Sequence, residues 1–167
     1  MVELGSGTGA ITREILLRLR ADARLYAIDS NPIFVAHLKR NCADRRLIPI
    51  HGVAETLSAE LRSRGVAEAD AIVSSLGLTT MESPQRSRIV EQAHGCLRPD
   101  GILTQYQYLV SFAGQVDFKS ARVQVFDERR FLTSYFRHVA SETVLLNLPP
   151  ARVFTCRYAK RRRSRGS

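Results

Sequence analysis

No apolar run in the 167 residues approaches the ~18 needed to cross a bilayer, and no charged-then-apolar leader precedes a small-residue cleavage site. A soluble, unexported, cytoplasmic chain is expected. Cysteine is scarce: Cys42, Cys96 and Cys156 are odd in number and form no C-x-x-C pair, so neither a disulfide framework nor a cysteine-based zinc site is indicated. We read them as reduced core thiols. His37, His51, His94 and His138 are scattered without H-E-x-x-H or any other ligand spacing, and no metal is expected. No internal repeat is visible. Acidic residues are outnumbered, 16 against 25 basic, for a net charge of +9. Five of the positive charges are Lys160, Arg161, Arg162, Arg163 and Arg165, so the remainder carries only +4 and shows no basic-groove pattern. With 44% hydrophobic and 25% charged residues, the chain fits one globular domain with a real core.

What is present begins at once. Met1 to Leu4 is short, apolar and β-prone apart from Glu3, and from Ala10 onward Ile11, Ile15, Leu16 and Leu19 recur at helical spacing. "VELGSGTGAIT" therefore reads as strand, glycine turn, helix. Gly5, Gly7 and Gly9 permit positive φ and close approach of a ligand, while the unpaired N–H groups of the following helix suit polar or negative ligand groups. This is a nucleotide-type pattern; the alternative is a tight turn holding nothing. Gly5, Gly7 and Ala10 also satisfy the dinucleotide fingerprint, with Asp29 near the place of the acidic ribose-binding residue, so the pattern leaves NAD and other adenosine cofactors open.

Strands and helices then alternate. Asn31 and Pro32 cap and start a helix through Phe34, Val35 and Leu38 to about Cys42; a strand follows near "RLIPIHG". "AETLSAELRSRG" reads as a helix stopped by Gly65, and "DAIVSSL" as a buried strand. Ser83 and Pro84 repeat the cap-and-proline signal before a helix with Ile89, Val90, Ala93 and Leu97 on one side. Pro99, Asp100 and Gly101 make a turn before the strand "GILTQYQYLV". Val110 to Phe126 has no clean period and connects to a short helix near Asp127. "VASETVLLNLPPARVFTCRY" reads as two strands joined at Leu148, Pro149 and Pro150. This predicts an α/β fold, a mostly parallel sheet with helices on both faces and ligands at the strands' carboxyl ends, where Gly5, Asp29, Gly52 and Ser74 would cluster. Residues 159–167 form a basic tail, expected to be disordered.

More residues than the glycines carry a family resemblance. "VELGSGTGAIT" resembles the first motif of class I S-adenosylmethionine-dependent methyltransferases, "LYAIDSNP" their second, and "ADAIVSSLGL" and "LRPDGILTQYQY" their fourth and fifth strands. The resemblance implies a Rossmann-like domain over residues 1–158 with an antiparallel closing strand pair, and S-adenosylmethionine as cofactor. It places Glu3 near the methionine end of the cofactor, Gly5, Ser6, Gly7 and Gly9 in the turn, and Asp29, followed by Ser30, on the ribose hydroxyls. Gly52, Ala54 and Glu55 come to the adenine side and Ser74 to the end of the fourth strand. A carboxylate suits the ribose because it accepts two hydrogen bonds at once.

A narrower likeness concerns the acceptor. "VSSLGLTTM", "LTQYQY" and "NLPPARVFTCRY" are similar to bacterial phospholipid N-methyltransferases, which convert phosphatidylethanolamine stepwise to phosphatidylcholine. The likeness implies an amine phospholipid substrate, which calls for peripheral attachment to the inner face of the membrane; by its charge the Arg-rich tail is an available electrostatic anchor on an anionic surface, or else a solubilising, unattached tail. Three departures stand out: Gly52, Val53 and Ala54 replace the family's usual Gly-Asp-Ala, with Glu55 the available substitute; Gly77 stands where proline is frequent; and Met1 falls almost inside the first strand. The last implies a shortened chain or a minimal core. Tyr106 and Tyr108 share one face of a strand and could hold a methylated ammonium by cation–π attraction, or be two half-buried strand tyrosines. Ser75 could approach the amine, or pack against the glycine turn. Two other functions stay open: an rRNA adenine methyltransferase, which the charge favours but the lack of [DNS]-P-P-[YFW] at Ser74 to Gly77 opposes, and an inactive cofactor-binding remnant.

Overall fold

The computed structural model describes residues 1–108, 115–117, 122–124, 126–146 and 150–159. Five strands and their crossovers come first: β1 (Val2–Leu4), α1 (Ala10–Arg18), β2 (Leu25–Asp29), α2 (Pro32–Asn41), β3 (Leu47–His51), α3 (Leu57–Arg62), β4 (Ala69–Ser74), α4 (Ser83–Cys96) and β5 (Leu97–Tyr108). A separate antiparallel pair, β6 (Gln115–Asp117) and β7 (Arg122–Gln124), precedes α5 (Glu128–Tyr135), β8 (Phe136–Val144) and β9 (Ala151–Ala159). The main sheet has seven strands in the order β3-β2-β1-β4-β5-β9-β8. Its first five are parallel and β9 is inserted antiparallel between β5 and β8. This is the predicted Rossmann-like arrangement, closing antiparallel pair included.

Side-chain alternation along the strands sorts the core into two layers. Val2, Leu4, Tyr26, Ile28, Ile72, Leu103, Phe154 and Cys156 face α3, α4 and α5, whose Leu57, Leu61, Ile89, Val90, Ala93 and Leu132 complete that layer. Leu25, Ala27 and Leu47 face the other way, onto Leu16 of α1 and Leu38 of α2. The period-2 pattern thus delivers apolar residues to both faces, as a sheet covered by helices on both sides requires.

Local chemistry explains most boundaries and corrects some expectations. Asn31 caps α2, its side chain accepting from the Ile33 N–H with Pro32 at the first helical position. At α4 the expected cap is one residue off: Glu82 is the cap, without a side-chain bond, and Ser83 and Pro84 are the first two helical residues. Leu97 leaves that helix to start β5, and Cys96 is buried on α4 instead. Pro99 to Gly101 do not precede the strand as a turn. They lie inside β5, where two steps along β4, Ala69 to Ala71, face five along β5, Leu97 to Ile102. The helix expected over residues 54–65 divides into a 3-10 turn at Ala54–Thr56 and α3, and Gly65, at φ 73°, ends it as expected. The connector after β5 contains β6 and β7, which its sequence did not announce. The joint at Leu148 and Pro149 and the tail from Lys160 lie outside the described residues.

Candidate active site

Every carboxyl end of β1, β2, β3 and β4 points to one rim. There the turn after β1 takes positive φ at three glycines, 79° at Gly5, 50° at Gly7 and 87° at Gly9, and Gly9 caps α1. A side chain at Gly5 would lie 2.9 Å from Leu76 Cδ2 and 3.1 Å from Ser75 Oγ, whereas one at Gly7 would meet nothing within 4 Å. Gly5 is therefore packed against the Ser75 and Leu76 side chains, and Gly7 faces open space.

Asp29 organises this rim. Its Oδ2 accepts from the Gly7 N–H at 2.8 Å and its Oδ1 from the Asn31 N–H at 2.8 Å, while its carbonyl accepts from the Gly52 N–H at 3.1 Å. The carboxylate ties the glycine turn to the start of α2 and keeps lone pairs to spare for a hydroxyl. Glu3 points to the opposite side of the sheet, toward α1, and is 1% exposed. Thr12 donates to its Oε2 at 2.6 Å, but Oε1 has no partner. Burial pushes its carboxyl up to about 7, against the Thr12 hydrogen bond and with a smaller push from Asp29. Ser6 is also buried, with its hydroxyl unpartnered.

A cavity of about 150 Å³ opens on this rim, walled by Gly5, Ile28, Asp29, Ser30, Gly52, Val53, Ala54, Glu55, Leu76, Met81, Gln85 and Ile89. Six candidate residues, Gly5, Asp29, Ser30, Gly52, Ala54 and Glu55, meet there. Glu3, Ser6, Gly7, Gly9, Ser74, Ser75, Tyr106 and Tyr108 do not line it. Ser74 is buried beneath the rim, its Oγ accepting from the Leu76 N–H at 3.4 Å. The Ser75 hydroxyl donates to the Gly5 carbonyl at 2.7 Å, so it packs against the glycine turn. Tyr106 and Tyr108 meet edge to face at 5.0 Å on the sheet face opposite α4, and Tyr108 is 44% exposed.

Sequence reasoning missed Ile28, Val53, Leu76, Met81, Gln85 and Ile89. Gln85 reaches across the cavity to donate to Glu55 at 2.9 Å, a pairing between residues thirty positions apart that no local pattern signals. Ile89 had a signal, its place on the apolar side of α4. Gln105, on the face opposite Tyr106, donates to the Leu76 carbonyl at 2.8 Å and so fixes the loop after β4.

Residues 1–101 match the model of a methyltransferase domain family. The chain belongs to that family. It is an S-adenosylmethionine-dependent methyltransferase, and the two unpartnered buried oxygens of Glu3 and Ser6 and the open side of Gly7 fit a ligand laid along the turn. The chain is 27% identical over 161 residues to an ornithine lipid N-methyltransferase of Singulisphaera acidiphila, covering 96% of this chain and 76% of that one. It is 38% identical over 88 residues to ribosomal RNA small subunit methyltransferase H of Chromobacterium violaceum, a match covering 52% of this chain and 28% of the relative. In three dimensions it resembles the N-methyltransferase NodS of Bradyrhizobium japonicum WM9 in complex with S-adenosyl-L-homocysteine. The TM-score is 0.69 at 18% identity, over 94% of this chain and 76% of that one, which is a likeness of fold.

Proposed function

We propose that this methyltransferase transfers methyl groups to the amine of a phospholipid or other amine lipid at a membrane surface. The observation that carries this reading is the extent of the lipid-methylating relative's match: it runs along 96% of the chain, whereas the RNA-methylating relative accounts for about half. Phosphatidylethanolamine is the first substrate to test, from the N-L-P-P-A-R-V element at residues 147–153, and ornithine lipid the second. Attachment is peripheral, on the cytoplasmic face. No helix among the described residues is long and apolar enough to cross a membrane.

Bound S-adenosylmethionine supplies an electrophilic methyl on a sulfonium, so the chain's own task is alignment and exclusion of water. Asp29 would accept from the ribose hydroxyls with the lone pairs left by Gly7 and Asn31. Glu3 Oε1 would take the ammonium at the amino-acid end, where a cation would also hold its carboxyl ionised. The cavity of about 150 Å³ is below the ~300–1,000 Å³ of sites that enclose a whole drug-sized ligand, so it would take the adenine end between Ile28, Leu76 and Ile89, beside Glu55 and Gln85. Tyr106 and Tyr108 would present aromatic faces and edges to the methylated ammonium. Ser75, spent on Gly5, would support the turn.

The test is transfer of labelled methyl from S-adenosylmethionine to phosphatidylethanolamine, to ornithine lipid and to ribosomal RNA, each resolved separately. Label in an amine lipid is expected. It should vanish in Asp29→Ala, in which calorimetry should show cofactor affinity reduced at least tenfold through loss of a charged acceptor worth ~1.5–3 kcal/mol. Label in RNA alone would replace this reading with the RNA one, and unchanged cofactor affinity in Asp29→Ala would remove the ribose assignment.

A further inference from the structure

The acceptor half of the sheet stands taller than the cofactor half. Ser74, the last residue of β4, pairs with Gln105, yet β5 continues to Tyr108, which pairs with Ala151 and through it aligns with Val144. At ~3.4 Å per residue this ledge rises about 10 Å beyond the end of β4. From there the chain leaves β8 into a turn at Leu145 and Leu146, which are 73% and 102% exposed. In the row beneath, Tyr108 is 44% and Val144 39% exposed. Among the described residues the other exposed aliphatics, Leu17 on α1, Ile33 on α2 and Val53 just after β3, stand singly, as is ordinary for a protein surface.

The rows turn from polar to apolar over their last steps. Tyr106, Val153 and Glu142 are aligned, then Gln107, Arg152 and Thr143, then Tyr108, Ala151 and Val144, and last the two leucines. Charge, then an aromatic residue, then aliphatic side chains follow one another over roughly 10 Å, the same sequence a bilayer presents from headgroups through interface to acyl chains. We propose that the tip after β8 inserts into the membrane surface, with Leu145 and Leu146 among the acyl chains, Tyr108 at the interface and Arg152 level with the phosphates.

Area decides for a bilayer over a protein partner. The four side chains that the described residues place on this tip fall far short of the ~800 Å² that each side of a stable protein interface buries. A bilayer sets no such minimum, because each inserted apolar group adds its own transfer free energy. The tip also stands at the same end of the sheet as Gly5, Asp29 and Gly52, so insertion there turns the cofactor rim toward the headgroups. The inference rests on the amine-lipid reading for its purpose, and its test reads binding separately from transfer.

The chain contains no tryptophan, so Leu146→Trp places a single reporter at the tip and Leu17→Trp a matched one on α1. On vesicles of phosphatidylglycerol and phosphatidylethanolamine, emission from Leu146→Trp should shift to the blue and be quenched by brominated acyl chains. Emission from Leu17→Trp should do neither. The shift should survive deletion of Lys160 to Ser167, and should survive about 1 M salt, where charges are screened beyond ~3 Å. The double variant Leu145→Ser, Leu146→Ser should bind these vesicles at least tenfold more weakly, yet methylate detergent-dispersed lipid at the rate of the unaltered chain. No shift at the tip, an equal shift at both reporters, or undiminished vesicle binding by the serine variant would each overturn the insertion. Absence of transfer to any detergent-dispersed lipid would overturn the substrate reading instead, with the reporter result still deciding the tip.

Discussion

Glu128, the first residue of α5, is 4% exposed and has no hydrogen-bond partner for either carboxylate oxygen. Burial pushes its pKa up to about 7, opposed only by the Arg152 guanidinium across on β9, where the Cys156 thiol is itself driven up to about 12 by burial and by Glu128. Asp127 and Arg129 flank it on the chain. A carboxyl raised in the folded state binds more protons folded than unfolded, so stability falls as pH rises from about 4.5 to about 7 and stays lower above. Glu128→Gln removes the ionisation and keeps the shape. Urea unfolding should show near equality with the unaltered chain at pH 5 and a gain on the order of 2 kcal/mol at pH 8. An equal gain at both pH values would mean that charge is not the cause. Nothing in "FDERRF" foretells this, because an acid in a helix's first turn is ordinarily favourable and the strand facing it is set by topology. Glu3 and Asp29 stand out in the sequence for the opposite reason: Glu3 lies inside β1 two residues before Gly5, and Asp29 ends β2.

At the scale of single elements, the glycine turn was read correctly because it is entirely local. Which glycine tolerates a side chain was not readable, since that depends on what packs against each one. A Cβ at Gly9 would come within 2.5 Å of Leu38 Cδ2, and Leu38 is 1% exposed, so it has little room to move. A Cβ at Gly7 meets open space and carries only the positive-φ cost. Gly9→Ala should therefore cost about 2–4 kcal/mol in chemical denaturation and Gly7→Ala about 1–2 kcal/mol. Equal losses would mean that Leu38 yields freely. The same division explains the other elements. Asn31 with Pro32 and Gly65 specify ends by their own chemistry. The three additional residues of β5 opposite β4 are set by pairing with a strand nearly thirty residues earlier, and read from sequence as a turn.

For the molecule as a whole, the net charge of +9 is concentrated at one end of the sequence, five of its positive charges lying between Lys160 and Arg165. Under the membrane reading these contribute ~1 kcal/mol each near an anionic surface and fade with salt. Deleting Lys160 to Ser167 should reduce sedimentation with anionic vesicles at low salt several-fold while calorimetry finds cofactor affinity unchanged. Loss of RNA retention with undiminished vesicle binding would point to nucleic acid. The strand order, legible in outline, carries one further consequence. Because β9 lies between β5 and β8, the sheet cannot be completed in the order in which the ribosome delivers it. The edge of β5 that bears the two tyrosines stays unpaired until β9 emerges, and β8 has no place in the sheet before then. A nascent chain halted before Ala151 thus exposes an open strand edge, the kind of surface that recruits chaperones or other copies of itself.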